Sequence, residues 1–309
     1  TTIIQEMPYP PTFNDDYEGR EQTAGDTDMT MDFFNRKDMK LTPPEGLSKK
    51  ELQKWQGWGN KRGFGEGWLP NDSMTVEEAR KWKYQRYIKD YLACVKSVDD
   101  NIGRVLEYLD EKGLAENTIV VYTSDQGFYL GDHGFFDKRF MYEPSLKMPF
   151  LMRYPAKIKE PSVNTDVITN IDFAPTLLDL AGVEIPSEIQ GTSFARNVTE
   201  GDSENWDQSM YYHYYEFPFW HHVQPHYGIR NQRYKLIHFY YNVDVWELYD
   251  LEEDPNELNN LINDAEYSDL IAEMKIELKA QQEKYGDDGS LDDFRKITDT
   301  DFGHISGPH

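Results

Sequence analysis

Between Val76 and Lys112 the apolar positions recur with a helical period. Tyr84, Tyr87, Ile88, Tyr91, Val95, Val98, Ile102, Val105, Leu106 and Leu109 fall three or four apart, which lines them up as one stripe. Thr75 with Glu78 forms a capping-box pattern ahead of this helix, and Gly113 supplies a stop. Cys94 lies beside the stripe, so a buried structural thiol is expected there rather than a reactive one. The period then changes. Ile119, Val120, Val121 and Tyr122 form a β-branched run without alternation, as in a strand covered on both faces, and Met148 to Tyr154 forms another. A third helix is predicted near Phe173–Ala181, introduced by Asp172 and closed by Gly182. Helix followed by buried strand is the rhythm of an α/β domain with a mainly parallel sheet.

After about residue 205 the texture becomes aromatic strands separated by turns: SMYYHYYEF, HYGIR, YKLIHFYY and WELYDL. They predict a small antiparallel sheet, followed by a helix from about Asp264 to Lys284 and a polar tail wrapping loosely over the surface. The opening 70 residues read as loop (PYPPTFNDDYEG, LTPPEG, GWGNKRGFGEGW), and a domain rarely begins with so much structureless chain. The expectation is that the sequence starts inside a larger unit. Four regions follow: an irregular connecting region, 1–75; part of an α/β core, 76–200; an antiparallel subdomain, 201–285; and the tail, 286–309.

Composition adds limits. The 309 residues, 14% of them aromatic, can fill a sizeable core. The 56 acidic against 32 basic residues leave a formal charge of −24, which disfavours nucleic acid and anionic lipid as partners. An anionic substrate would then require a local cluster of Lys, Arg or a metal ion. The single cysteine excludes an internal disulfide, and no apolar run approaches membrane-spanning length.

The chemistry concentrates in TSDQGFYLGDHGFFDKRFMYEPSLKMPFLMRYP, residues 123–155. Asp125 falls where the buried strand ends, the edge at which open α/β sheets bind ligands. Asp125 and Gln126 offer two hard oxygen donors suited to Ca²⁺ or Mg²⁺. Gly127, Gly131 and Gly134 allow tight folding, and Asp132, His133, Asp137 and Lys138 gather acid, imidazole and ammonium. By composition alone, a structural strand end finished by Asp and Gly accounts for the pattern equally well.

The order Asp-Gln-Gly, Gly-Asp-His-Gly, Asp-Lys-Arg, Tyr-Glu and Pro closely resembles the second signature region of the formylglycine-dependent sulfatases, of alkaline-phosphatase-like fold. The resemblance extends to VDDNIGRVLEYLDEKGL, NIDFAPTLLDLAGVEIP, HYGIRNQRYKLI and WELYDLEEDPNELNNL, covering roughly residues 80–262. It is nearest to bacterial sulfatases of polysaccharides, including those removing a 6-sulfate from N-acetylglucosamine. It implies hydrolysis of a sulfate ester on a carbohydrate, Asp125 and Gln126 as two of four protein ligands to one Ca²⁺, and Lys138 on the sulfate. For His133 it implies a supporting or substrate-facing role, and for Tyr142–Glu143 a role in holding the loop. It also implies an exported, periplasmic or extracellular setting.

The departures are as informative. The family's nucleophile lies in a C/S-x-P-S/A-R segment matured to formylglycine, and no such segment occurs here; Cys94 in LACVKS is not one. The paired Asp residues completing the calcium site and the upstream histidines are missing as well. The expectation is a C-terminal portion, inactive by itself, with its own N-terminal half as partner. A phosphodiesterase-type relative with two metals and a non-catalytic glycan- or partner-binding relative are the rival readings.

His213, His221, His222 and His226 lack regular ligand spacing and any cysteine, which argues against zinc. His226 and Arg230 are the preferred substrate contacts of this stretch, weighed against simple aromatic packing. Asn71 and Asn197 head formal glycosylation motifs of the kind that arise by chance, and DDGSLDD lacks EF-hand spacing.

Overall fold

The computed structural model describes residues 5–55, 69–158, 161–204, 206–217, 221–241 and 243–292. Elements in chain order are α1 (Lys49–Trp55), α2 (Val76–Glu111), β1 (Val120–Thr123), β2 (Tyr129–Leu130), β3 (Phe136–Asp137), α3 (Glu143–Leu146), β4 (Phe150–Arg153), α4 (Phe173–Ala181) and α5 (Ala195–Thr199). β5 (Met210–Tyr214), β6 (His226–Arg230), β7 (Tyr234–Phe239), β8 (Val245–Asp250) and α6 (Ser268–Tyr285) complete them. The loop expected in GWGNKRGFGEGW and the tail beyond residue 292 lie outside the described residues.

The predicted ends of α2 hold for the predicted reason. Thr75 and Glu78 form the reciprocal capping box, and Gly113 adopts φ 66° just past the end. The first half of α2 buries Tyr84 and Ile88 against Phe13, Met31, Phe34, Met39 and Phe136. Residues 5–48 are thus irregular in path yet contribute core, because their aromatic and Met side chains fill the groove beside α2.

Beyond Leu92 the stripe meets little. Val95, Val98, Val105 and Tyr108 are exposed, and Cys94, expected to be buried, is exposed with them. Apolar spacing sets which side chains share a face of a helix, whereas burial depends on whether another element covers that face. The described residues provide none here.

The mainly parallel pairing expected of the core strands also differs. β1 and β4 pair antiparallel, Val120 opposite Arg153 through Thr123 opposite Phe150. Parallel neighbours need a crossover of a dozen or more residues, usually helical, that returns the chain to the starting edge. The connection between β1 and β4 is instead spent on the loop carrying Asp125 to Lys138, so the chain comes back from the same end. β5-β6-β7-β8 form the anticipated antiparallel sheet, and α6 packs Met274 and Leu278 on one face against Ile229, Leu236 and Leu248. Its other face contributes Ile237, Phe239 and Tyr249 to the cluster around Tyr129, Phe135, Phe140 and Tyr142.

Candidate functional site

Asp125 emerges at the end of β1 with its side chain exposed, accepting a 3.2 Å hydrogen bond from Ser124 Oγ. Gln126 is half-buried and has no side-chain partner among the described residues. The chain then doubles back as the β2–β3 hairpin, with Tyr129 opposite Asp137, which returns Lys138 to the vicinity of Phe128. Ser145 at the start of α3 closes the arrangement. Its carbonyl accepts the Gly127 N–H at 2.8 Å and its hydroxyl accepts the Arg139 N–H at 3.1 Å. One buried residue therefore grips both limbs, beside Gln126 on one side and beside Lys138 on the other. Gly127 must be glycine for this contact: a Cβ there would stand 2.2 Å from the Pro144 carbonyl oxygen. Gly131, at φ 99°, would likewise drive a side chain to 2.6 Å from the Tyr84 ring.

Lys138 is half-buried and has no ion-pair partner among the described residues. Its neighbours are committed. Asp137 accepts from His221 Nε2 at 3.0 Å and Arg139 at 3.1 Å, while Arg139 also reaches Glu216 at 2.7 Å. Burial would push the Asp137 carboxyl up, but His221 and Arg139 outweigh it and hold it below its ordinary value. Asp137 and Arg139 sit at positive φ, 68° and 137°, so backbone strain brackets Lys138. The ammonium is left available to an anion.

His133 is placed inside the protein, 1% exposed. Its Nδ1 lies 2.6 Å from Asp15, its N–H donates to Thr12 Oγ1 at 2.8 Å, and its carbonyl accepts from Tyr17 at 2.7 Å. Asp15 in turn receives Arg20 in a two-pronged contact of 2.8 and 2.9 Å. Burial opposes ionisation of Asp15, yet the His133 hydrogen bond and the Arg20 charge keep its carboxyl below the usual range. This geometry suits a group that fixes the 131–138 loop on the N-terminal segment.

Tyr142 and Glu143 anchor the other end. Tyr142 donates to buried Glu247 at 2.8 Å; Glu143 pairs with Arg230 and Lys235, each at 3.0 Å. Lys235 and Arg230 overcome the cost of burial and bring the Glu143 carboxyl down to about 2. Arg230 is thus half-buried and spent on Glu143. His226 is wholly buried among Phe140, Tyr212, Tyr214 and Phe239, its Nδ1 2.8 Å from the Gln224 carbonyl, and burial lowers it to about 3. The geometry therefore gathers Asp125, Gln126 and Lys138 on one loop and sets His133, His226 and Arg230 into its supports. Thr12, Asp15, Arg20 and Ser145 were missed from sequence, and His221 was weighed there only as one of a histidine cluster. Asp15 is 118 residues from His133, and no local pattern marks such a partner.

The chain matches the sulfatase family model over residues 4–183 and the model described as N-sulphoglucosamine sulphohydrolase, C-terminal, over residues 131–284. It is 44% identical over 298 residues to the N-acetylglucosamine-6-O-sulfatase of Bacteroides thetaiotaomicron, covering 91% of this chain and 53% of that protein. An arylsulfatase of Clostridium perfringens is 34% identical over 214 residues, 65% of this chain and 42% of its own length. Among solved structures, a protein in complex with its substrate D-glucosamine-2-N,6-O-disulfate superposes at TM-score 0.77 with 40% identity, covering 92% of this chain and 61% of that one. A putative sulfatase from Bacteroides fragilis matches at TM-score 0.62 and 28% identity, covering 82% and 53%. The chain thus spans about half the length of the curated relatives it matches. The solved structures bear out the expected alkaline-phosphatase-like architecture with its antiparallel C-terminal sheet.

Proposed function

The chain belongs to the sulfatase family, and from that premise we propose that it furnishes one part of a site hydrolysing sulfate esters on a carbohydrate. The observation carrying this reading is the Ser145 grip, which holds the Gln126 and Lys138 limbs together, with the Lys138 ammonium free of an ion pair among the described residues. An ammonium held there offsets charge as it gathers on the sulfate oxygens during S–O cleavage. Asp137, Arg139 and His221 fix its backbone, and Asp15 with His133 fixes the loop from behind.

Asp125 and Gln126 supply two oxygen donors of the kind Ca²⁺ takes, out of the roughly six to eight it needs. The Asp125 side chain is exposed and Gln126 has no side-chain partner among the described residues, so both oxygens are open to a coordination sphere completed by other ligands. Bound there, the cation would polarise a sulfate oxygen as a Lewis acid. We assign the remaining ligands and the formylglycine nucleophile to polypeptide beyond these 309 residues. Exposed Val95, Val98, Val105, Tyr108 and Leu151 are the apolar surface such a segment would cover. By likeness to the N-acetylglucosamine-6-O-sulfatase, the substrate class is a 6-sulfated glucosamine unit.

The test is sulfate release from N-acetylglucosamine 6-sulfate by the enzyme assembled with a formylglycine-bearing N-terminal portion. Lys138→Ala should lower turnover about 10²- to 10³-fold, the scale of losing one transition-state charge donor. Near-normal turnover in that variant removes Lys138 from the mechanism. Faster hydrolysis of a phosphodiester than of the sulfate ester assigns the chain to the phosphoryl-transfer branch instead.

A further inference from the structure

Residues 27–31 run antiparallel beside the loop that returns to Lys138. The Met31 N–H donates to the Gly134 carbonyl at 2.8 Å, the Phe136 N–H donates to the Met29 carbonyl at 3.0 Å, and Thr30 bridges Phe135. The same segment grips His221. Thr27 Oγ1 donates to the His221 carbonyl at 2.7 Å, and the Asp28 N–H donates to it at 3.2 Å. His221 is held at φ 70°, a region that a residue with a Cβ occupies only under restraint. The Phe136 ring stands perpendicular to its imidazole with centroids 5.0 Å apart.

The imidazole is thereby set between two carboxylates. Nε2 lies 3.0 Å from Asp137 Oδ2, and Nδ1 lies 3.5 Å from Asp28 Oδ1. Asp28 is wholly buried, and neither of its oxygens has a hydrogen-bond donor among the described residues. A carboxylate in such a place is costly unless a positive charge stands close. An ionised carboxylate only accepts, so the Asp137 contact needs a proton on Nε2. A bare Nδ1 would turn its lone pair toward Asp28, whereas a proton there makes the ring a cation that attracts it. At 3.5 Å a hydrogen bond is already poor, while Coulomb attraction falls only as the inverse of distance and still acts. The geometry therefore favours an ion pair over a neutral Asp28 donating to the ring.

The consequence reaches the site through Asp137. A sulfate approaching Lys138 also approaches the carboxylate of the preceding residue, which repels it unless its charge is offset. Arg139 offsets that carboxylate at 3.1 Å, and His221 does so from a second direction. We propose that Asp28 is a positioning residue of the site: it keeps a proton on each nitrogen of His221, so that the imidazolium orients Asp137 and offsets its charge beside Lys138. This rests on the reading of Lys138 as the sulfate contact and adds a buried residue behind it.

The ring nitrogens are read by long-range nitrogen-15 NMR on the 309-residue chain at pH 7, with His221→Gln identifying the His221 signals. Both nitrogens should carry a proton in the native chain. In Asp28→Asn, which keeps the shape and removes the charge, Nδ1 should lose its proton while the circular dichroism spectrum stays native. In the enzyme assembled with a formylglycine-bearing N-terminal portion, Asp28→Asn should raise the KM for N-acetylglucosamine 6-sulfate several-fold. Its kcat should fall less, because Lys138 itself is untouched. A bare Nδ1 in the native chain overturns the proposal, and that spectrum decides the point even if the variant does not fold. A His221 spectrum that Asp28→Asn leaves unchanged overturns it too, as does an unchanged KM in that variant. Absence of sulfate release by the unaltered assembled enzyme would sink the sulfatase reading and leave the charge arrangement around His221 standing. A bare Nδ1 with normal turnover would do the reverse.

Discussion

Removing the Lys235 ammonium should expose how strongly the supports of the site depend on buried charge. Lys235 is fully buried on β7 and lies 2.6 Å from Glu257, itself fully buried, and 3.0 Å from Glu143. In Lys235→Met the apolar stem is kept and the charge lost. Glu143 retains Arg230, and Glu257 retains one backbone donor, the Glu143 N–H at 2.6 Å, so the loss is not total. Breaking a buried pair from one side costs about 3–5 kcal/mol, and the surviving donor places this variant near the lower end, about 3 kcal/mol. That is a shift of roughly a hundredfold or more in the folding equilibrium. Burial already pushes the Glu257 carboxyl up against the pull of Lys235, so without the lysine it takes up a proton more readily still. Urea denaturation followed by tryptophan fluorescence measures the change, and Lys235→Met/Glu257→Gln, which removes the orphaned charge, should recover most of it. A single-variant loss below about 1 kcal/mol, or a double variant no better than the single, would refute the reasoning.

Other outcomes follow from the same geometry. His226 is held at about 3 against an ordinary 6.5, so the unfolded chain binds more protons between those values and stability falls as pH drops through that window. In His226→Gln that part of the pH dependence should flatten, as read from denaturation midpoints at pH 7 and pH 4.5. Gly127→Ala pits a methyl group against the Pro144 carbonyl at 2.2 Å, and should lower the melting temperature and loosen the 125–139 loop in hydrogen exchange. Cys94 is exposed, so a maleimide should label the native 309-residue chain once at a rate near that of the denatured chain. Assembly with the proposed N-terminal portion should slow that labelling; unchanged labelling would argue that the α2 face remains open.

Much was legible because it is written locally. The Thr75–Glu78 box and Gly113 fix the ends of α2 through hydrogen bonds spanning three or four residues. The aromatic runs of β5 to β8 were readable for the same reason, since each strand pairs with the next in chain order and no distant partner is chosen. That Asp125, Gln126 and Lys138 share one loop was legible because a strand end, glycines and a charged run lie within fourteen residues. What the sequence could not rank was availability. His133, Lys138, His226 and Arg230 are all polar residues near the motif, yet among the described residues only Lys138 of these is left without a side-chain partner.

Local sequence by itself determined period, caps and turns, because those depend on backbone hydrogen bonds and side-chain spacing a few residues apart. The tertiary structure decided which faces are covered, which charges are neutralised and where the chain returns. Val95 and Ile88 carry the same helical signal and differ only in whether residues 5–48 lie over them. Asp15 finds His133 across 118 residues, and Ser145 closes the loop through one hydroxyl and one carbonyl. Such contacts are chosen by the position of the whole chain in space, and the pattern of any one segment holds no record of them.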